Sequence, residues 1–175
     1  MIRAFLRISA VLLLVLLVLP FAWTTVSGDR FVTVSSGSMV PTFQVGDVLS
    51  VQNPTGDELR KVGEVVVASL DLGSGQSQYV HRVDSRTDDG AWLRGDANSS
   101  RDPQPITQEQ VLGTPRFALS GIAARTFAYL QSIEGRLTVS ALALTLFIIP
   151  GQRRRPRPEA ERVDMGSPRE MQLLS

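Results

Sequence analysis

Ser38 is the residue of this sequence whose surroundings most strongly suggest chemistry. It lies in the segment "SSGSMVPTFQVGD" (35–47), between Gly37 and Met39, and Pro41 restricts the turn that follows. A serine on such a turn can be exposed and rigidly held at once. A serine nucleophile also needs a base within hydrogen-bond reach and a third group that orients the base. The segment therefore raises the hypothesis of acyl transfer, against the alternative of an ordinary loop serine.

One histidine is available as that base. His81 lies in the strand-type segment "YVHRV", and an imidazole titrates near neutral pH, which suits proton transfer. The alternative is a half-buried strand histidine with no chemical role. The loop "LRGDANSSRDP" that follows contains Asp96 and Asp102, and either could orient His81. A Gly-Asp-x-Asn turn also forms without any function.

Composition excludes several other kinds of site. The chain has 175 residues, no cysteine and one histidine. Disulfides, cysteine nucleophiles, thiolate metal sites and multi-histidine metal sites are therefore excluded, and we expect no metal and no cofactor. Residues 28–131 carry a small excess of acidic side chains, so we expect no nucleic-acid partner.

Short segments rich in β-branched or aromatic residues predict strands in the middle of the chain. These segments are 30–34, 47–52, 64–69, 78–83 and 91–95. Turn signals separate them at 53–56, 73–75 and 88–90. The pattern predicts an all-β domain over residues 24–117.

The N-terminus has Arg3 and Arg7 followed by an almost unbroken apolar run over 8–23. A bilayer core is about 30 Å thick, so this run spans it if residues 4–6 join the helix. Two interpretations are open, a cleaved signal peptide and an uncleaved anchor. We favour an anchor over 4–23, because no small-x-small cleavage site follows the run.

The C-terminal third contains a second membrane candidate. Residues 137–150 carry no charge, and an arginine-rich block follows at 153–157. We therefore predict a second transmembrane helix over 135–150 with its arginines on the cytoplasmic side, the alternative being a buried core helix. Residues 151–175 are predicted to form a disordered basic tail. Between the domain and this span, 118–134 is predicted to form an amphipathic helix with an apolar stripe of Leu119, Ile122, Ala123, Phe127, Leu130 and Ile133.

Three of these segments together resemble the motifs of type I signal peptidases. They are "SGSMVPTFQVGD", "YVHRV" and "RGDANSSRD", and "KVGEVVV" (61–67) resembles the strand that follows the serine motif in that family. The resemblance is to the endoplasmic-reticulum-type branch, in which a histidine replaces the lysine base of most bacterial enzymes. It covers residues 1 to about 150 and implies a signal-peptidase-like all-β catalytic domain flanked by transmembrane helices.

By position, the resemblance implies Ser38 as nucleophile and His81 as general base. It implies Asp102 as the catalytic acid and Asp96 as a supporting residue, and it pairs the Ser36 hydroxyl with the Ser38 backbone N–H in the oxyanion hole. The sequence departs from the family at Gly95-Asp96-Ala97-Asn98, where the family often has Gly-Asp-Asn-Asn. It also has Arg101 where an acidic residue often precedes the catalytic acid.

The implied function is a membrane-bound serine endopeptidase that removes signal peptides after Ala-x-Ala-like sites. Its implied partners are preprotein signal peptides, the lipid bilayer and the secretion translocon. The implied location is the cell membrane, with two spans, an extracytoplasmic catalytic domain and both termini in the cytoplasm. Two alternatives remain, a lysine-based peptidase using Lys61 and a membrane-tethered β domain without catalytic activity, such as an assembly factor or a dead paralogue.

Overall fold

The central part of the chain forms strands, as predicted. The computed structural model describes residues 2–70 and 78–148. Its strands are β1 (Arg30–Thr33), β2 (Val48–Gln52), β3 (Val65–Ser69), β4 (Gln78–Arg86), β5 (Gly90–Arg94), β6 (Ile106–Thr107) and β7 (Val111–Leu119). They form one antiparallel sheet in the order β1-β2-β7-β3-β4-β5-β6. The prediction of a mainly-β domain is confirmed, whereas features predicted at 73–75, 149–150 and 151–175 lie outside the described residues.

Strand β7 was not predicted, although it joins the two halves of the sheet by pairing with both β2 and β3. Its sequence contains Gly113 and Pro115, which interrupt a strand pattern. The pairing of β2 with β7 skips Arg116, because Ser50 lies opposite Phe117 and the next pair is Val51 with Pro115. Such a bulge is one of the places where a strand accommodates proline.

Two clusters of buried side chains pack on the sheet. Strand β3 contributes to both, because its alternate side chains point to opposite faces. One cluster contains Leu59, Val66, Ala68, Val83, Ala91, Leu93, Ile106 and Val111. The other contains Val34, Met39, Leu49, Val51, Val67 and Val80. Met39 thus ties the loop before β2 to the second cluster.

Three helices lie outside the sheet: α1 (Ile2–Ser27), α2 (Gly121–Gln131) and α3 (Ile133–Ile148). Helix α1 contains an 18-residue window with a mean hydropathy of 2.6, and among residues 2–70 and 78–148 it is the one helix long and apolar enough to cross a membrane. Helix α3 packs along α1. The guanidinium of Arg7 lies 5.9 Å from the ring centroid of Phe147, so the start of α1 lies beside the end of α3.

The predicted amphipathic helix differs from the structure in its bounds and its stripe. Ala118 and Leu119 belong to β7, where they pair with β2, so α2 begins later than predicted. Ile122 and Ile133 are 82% and 74% exposed, and the buried residue of α2 is Ala124. The periodicity was read across two helices that are separated at Ser132, and a stripe does not continue through such a break.

We expect Met39→Ala to destabilise the domain by about 2–5 kcal/mol, the range for truncating a buried large side chain. Met39 is 1% exposed. The matched control is Val45→Ala in the same loop, since Val45 is 63% exposed and surface changes usually stay within about 0.5 kcal/mol. Thermal melting of the three proteins checks this expectation. Equal melting temperatures for the two variants would show that Met39 does not anchor the loop.

Candidate active site

The loop that carries Ser38 is closed at its base and anchored in the core. Val34 donates a hydrogen bond to the carbonyl of Asp47 at 2.8 Å, and Gly46 donates one to the carbonyl of Val34 at 2.8 Å. Met39 is buried, while its neighbour Ser38 is partly accessible. The serine therefore sits on a loop whose position is set by core packing.

The hydroxyl of Ser38 has a second hydroxyl beside it. The Oγ atoms of Ser36 and Ser38 lie 3.2 Å apart, and Ser36 is exposed. Either oxygen can be the donor of this hydrogen bond. The arrangement allows the Ser36 hydroxyl to serve as a hydrogen-bond donor next to the oxygen that would attack.

His81 and Asp102 form a close pair. His81 lies in β4 opposite Val66 of β3 and is 9% exposed. Its Nδ1 lies 2.7 Å from Oδ2 of Asp102. The backbone N–H of Asp102 donates to the carbonyl of Leu93 at 2.8 Å, so the carboxylate is held by β5. Such a pair fixes the orientation of an imidazole and leaves its Nε2 for chemistry.

Gly95 marks the space between His81 and the Ser38 loop. A Cβ added to Gly95 would lie 3.0 Å from Nε2 of His81 and 2.6 Å from the carbonyl oxygen of Ser38. The missing side chain therefore lets the imidazole and the serine loop border one small space. The backbone N–H of Ala97 donates to that Ser38 carbonyl at 2.8 Å, which ties the loop to the 95–98 turn.

Within the described residues no direct hydrogen bond joins Ser38 to His81. Contacts between a nucleophile and its base are often long in proteins without substrate and shorten when the substrate is bound. The structure thus brings the loop that carries Ser38 close to the His81–Asp102 pair at Gly95.

Asp96 serves a different partner. Arg82 donates to both of its carboxylate oxygens, from Nε at 2.8 Å and from Nη2 at 2.7 Å. Thr42 also donates to Asp96, and Arg82 Nη1 donates to the carbonyl of Gly63 at 2.8 Å. The hydrogen bonds from Arg82, joined by the one from Thr42, lower the pKa of Asp96. Asp96 therefore links β4 to the serine loop and does not contact His81 by a hydrogen bond.

Tyr79 is a neighbour of His81 that sequence reasoning missed. Its ring packs edge-on against the imidazole, with centroids 5.1 Å apart and an interplanar angle of 79°. Burial, aided by the charge of Asp102, raises the pKa of Tyr79 to about 12, so the phenol stays neutral. Residues two apart on a strand share a face, and this spacing is the signal that would have revealed the contact.

Arg101 packs on an aromatic ring beside the loop that carries Asp102. Its guanidinium carbon lies 4.2 Å from the ring centroid of Trp92 in β5. Such a cation–π contact stabilises the segment immediately before Asp102.

A cavity of about 310 Å³ adjoins the His81–Asp102 pair. It is lined by Leu70, Tyr79, His81, Asp102, Pro103, Gln104, Pro105, Ile106 and Gln110.

The remaining candidates do not form another site. Nζ of Lys61 lies 3.2 Å from Asp57 and pairs with that carboxylate at the surface. Among residues 2–70 and 78–148, no group of three His, Cys, Asp or Glu side chains is arranged to hold a metal ion. Comparison of the chain with protein-family models and with curated proteins gave no match.

The contacts of the two aspartates predict opposite effects of removing their charge. Asp96→Asn breaks the two-point ion pair with Arg82, so we expect a lower melting temperature at neutral pH and a smaller loss of activity. Asp102→Asn keeps the shape of the pair but disturbs the imidazole tautomer. If Asp102 orients His81 as a general base, we expect a folded protein whose turnover falls by roughly 10⁴-fold, as in the best-studied triad.

The pH dependence of stability tests the role of Asp96. Because its pKa is lowered in the fold, the carboxylate stabilises the fold above the ordinary aspartate pKa of about 3.9. That contribution is lost as the pH falls through the lowered value. The melting temperatures of the parent and of Asp96→Asn should therefore converge on acidification. If Asp96→Asn instead melts like the parent and loses activity, while Asp102→Asn stays active, the two roles are exchanged.

Proposed function

We propose that this chain is a membrane-anchored serine endopeptidase that removes signal peptides from preproteins. The observation that carries the proposal is the His81–Asp102 pair, in which Nε2 of His81 borders the Ser38 loop at Gly95. A buried, oriented imidazole beside an accessible serine is the arrangement that activates a hydroxyl for acyl transfer. The resemblance of the three sequence motifs to type I signal peptidases supplies the class of substrate.

The proposed reaction is acyl transfer through a serine ester. His81 removes the proton from Ser38, and Oγ attacks the carbonyl carbon of the scissile peptide bond. The imidazolium, stabilised by Asp102, then protonates the leaving amine. Water attacks the ester with His81 again as base, which releases the acyl group and restores Ser38.

The negative oxygen of the tetrahedral intermediate needs donors close to Ser38. The proposed donors are the backbone N–H of Ser38 and the hydroxyl of Ser36, whose Oγ lies 3.2 Å from that of Ser38. An extended substrate would bind by adding a strand to the domain. Small side chains at the first and third positions before the cut would enter shallow apolar pockets.

The proposed membrane arrangement rests on features of the helices. Trp23 of α1 donates to Ser50 of β2 at 3.2 Å, a contact that supports α1 as a retained anchor and not a cleaved leader. Helix α3 has 16 residues, or about 24 Å, and is proposed as the second span. The proximity of Arg7 to Phe147 supports both ends on one side of the membrane. Arg3 and Arg7 in the first turns of α1, together with the arginine-rich block at 153–157 after α3, support a cytoplasmic location for that side.

Cleavage of a preprotein tests the proposal. The detergent-purified chain is incubated with a preprotein that carries an Ala-x-Ala site, and the new N-terminus is sequenced. We expect a cut after the second alanine. Ser38→Ala should reduce turnover by roughly 10⁴-fold or more with no loss of folding. Ser36→Ala should lose roughly 10²- to 10³-fold in turnover with little change in KM.

Two outcomes would overturn the enzyme proposal. One is near-normal cleavage by Ser38→Ala, and the other is no cleavage by the parent, which favours a non-enzymatic tethered domain. A defect of Ser36→Ala confined to KM would assign that hydroxyl to substrate binding.

Labelling of single cysteines tests the proposed topology, and the absence of cysteine from the chain removes any background. Asp89→Cys lies in the exposed β4–β5 turn, and Ser167→Cys lies in the C-terminal tail. A membrane-impermeant maleimide should label position 89 in intact cells and position 167 only after permeabilisation. Labelling of position 167 in intact cells would contradict the second span.

A further inference from the structure

A buried carboxylate lies where the anchor helix meets the sheet. The side chain of Asp29 is 0% exposed. Its Oδ2 accepts hydrogen bonds from Ser50 Oγ at 2.8 Å and from Arg116 Nε at 2.9 Å, and its Oδ1 accepts one from Arg116 Nη2 at 3.2 Å. The Ser50 hydroxyl in turn accepts the hydrogen bond from the indole of Trp23. We call these four residues, Trp23, Asp29, Ser50 and Arg116, the Asp29 junction.

The junction connects three elements that are distant in sequence. Trp23 belongs to α1, Ser50 to β2 and Arg116 to β7. Arg116 is the residue skipped by the β2–β7 pairing, and a bulge re-aims a side chain away from its usual direction. The ring of Trp23 also packs edge-on against Phe117 at 5.9 Å. The end of the helix is therefore bound to two neighbouring strands.

The chain has no flexible linker at this point. Helix α1 ends at Ser27, and β1 begins at Arg30. Gly28 donates to the carbonyl of Thr24 at 3.0 Å and adopts a φ of 73°, a conformation that favours glycine. The backbone N–H of Asp29 donates to Ser27 Oγ at 3.1 Å. The turn from helix to strand is thus fixed by hydrogen bonds at each residue.

The charges of the Asp29 junction resist tilting of α1 relative to the sheet. The hydrogen bonds from Arg116 are the largest of the effects that lower the pKa of Asp29, so the carboxylate is ionised at neutral pH. A bidentate arginine–carboxylate pair specifies geometry as well as energy. Removing Arg116 would leave the buried charge of Asp29 without its partner, which is strongly unfavourable, whereas Arg116 itself is 44% exposed. None of the four residues contacts Ser38, His81 or Asp102 through a hydrogen bond that the described residues show.

We infer that the Asp29 junction sets the height of the active site above the membrane and so selects which peptide bond is cut. This inference rests on the proposed function. A preprotein held by its apolar helix presents an extended segment that rises about 3.3 Å per residue. A change of a few ångströms in the height of Ser38 therefore moves the reachable bond by one or two residues. The junction residues are positioning residues in this account.

Two substrates separate positioning from catalysis. The first is a preprotein with two Ala-x-Ala sites in tandem at different distances from its apolar helix. The second is a short water-soluble peptide with one such site, which reaches Ser38 without the membrane. The full-length chain is reconstituted in phosphatidylethanolamine–phosphatidylglycerol vesicles, and N-terminal sequencing gives the ratio of the two cuts.

Asp29→Asn removes the charge and keeps the shape, and Ser50→Ala removes the link between Asp29 and Trp23. For both variants we expect the ratio of the two cuts to change by about tenfold, equivalent to about 1.4 kcal/mol of preference. Cleavage of the soluble peptide should stay within about twofold of the parent. Ser50→Ala keeps the test decisive if Asp29→Asn fails to fold. The matched control is Asp84→Asn, which breaks the 3.0 Å pair with Arg94 between β4 and β5 and should leave the ratio unchanged.

The outcomes separate a failure of the positioning role from a failure of the proposed function. An unchanged ratio in both junction variants, with both substrates still cut, would overturn the positioning role alone. Equal losses on both substrates would also overturn it, because the junction would then support only folding. No cleavage of either substrate by the parent would overturn the proposed function, and the positioning role with it.

Discussion

The burial of Met39 is the constraint on which the site depends. Ser38 must be accessible, yet the next residue is 1% exposed and packs with Val67 and Val80 on one face of the sheet. His81 projects from β4 on the same side as Tyr79, which packs on the other core cluster. The serine loop and the imidazole therefore approach from different faces and meet at Gly95, where no side chain intervenes.

Two ion pairs hold different parts of this arrangement in place. Arg82 follows His81 in β4 and so points to the opposite face, where it binds Asp96 and, through Nη2, Thr42 at 3.3 Å. This contact ties the serine loop to the strand that carries the histidine. The pair formed by Asp29 and Arg116 ties the same sheet to α1. Arg82 binds the carboxylate of Asp96, and the carboxylate of Asp102 pairs with His81.

Sequence patterns predicted the parts of the fold that depend on local preference. The five predicted strands correspond to β1 to β5 because β-branched or aromatic residues recur in them, with turn residues between. Strand β7 escaped prediction because Gly113 and Pro115 are tolerated only through a bulge and through pairing on both sides, which are tertiary effects. The helix after β7 was predicted to begin too early, because the pairing of Ala118 and Leu119 with β2 is also a tertiary effect.

The residue types of the site could also be predicted from the sequence, whereas the contacts between these residues could not. Ser38 and His81 were candidates from their residue types, and Asp102 came from the resemblance while Asp96 stayed open; His81 and Asp102 are paired, and the Ser38 loop borders the imidazole at Gly95. The separate partners of Asp96 and Asp102 depend on the opposite faces of a strand and on the position of Thr42, which no local pattern fixes. The Tyr79 contact and the Asp29 junction depend on packing between elements distant in sequence.

The central claim is that Ser38 and His81 act as one catalytic unit, and a double-mutant comparison tests it most directly. Initial rates of preprotein cleavage are measured for the parent, Ser38→Ala, His81→Ala and the double variant. Residues that act as a unit are grossly non-additive in their effects on turnover. The account predicts that the double variant is no slower than either single variant. Losses that multiply in the double variant would contradict it, because they would show that the two residues contribute independently.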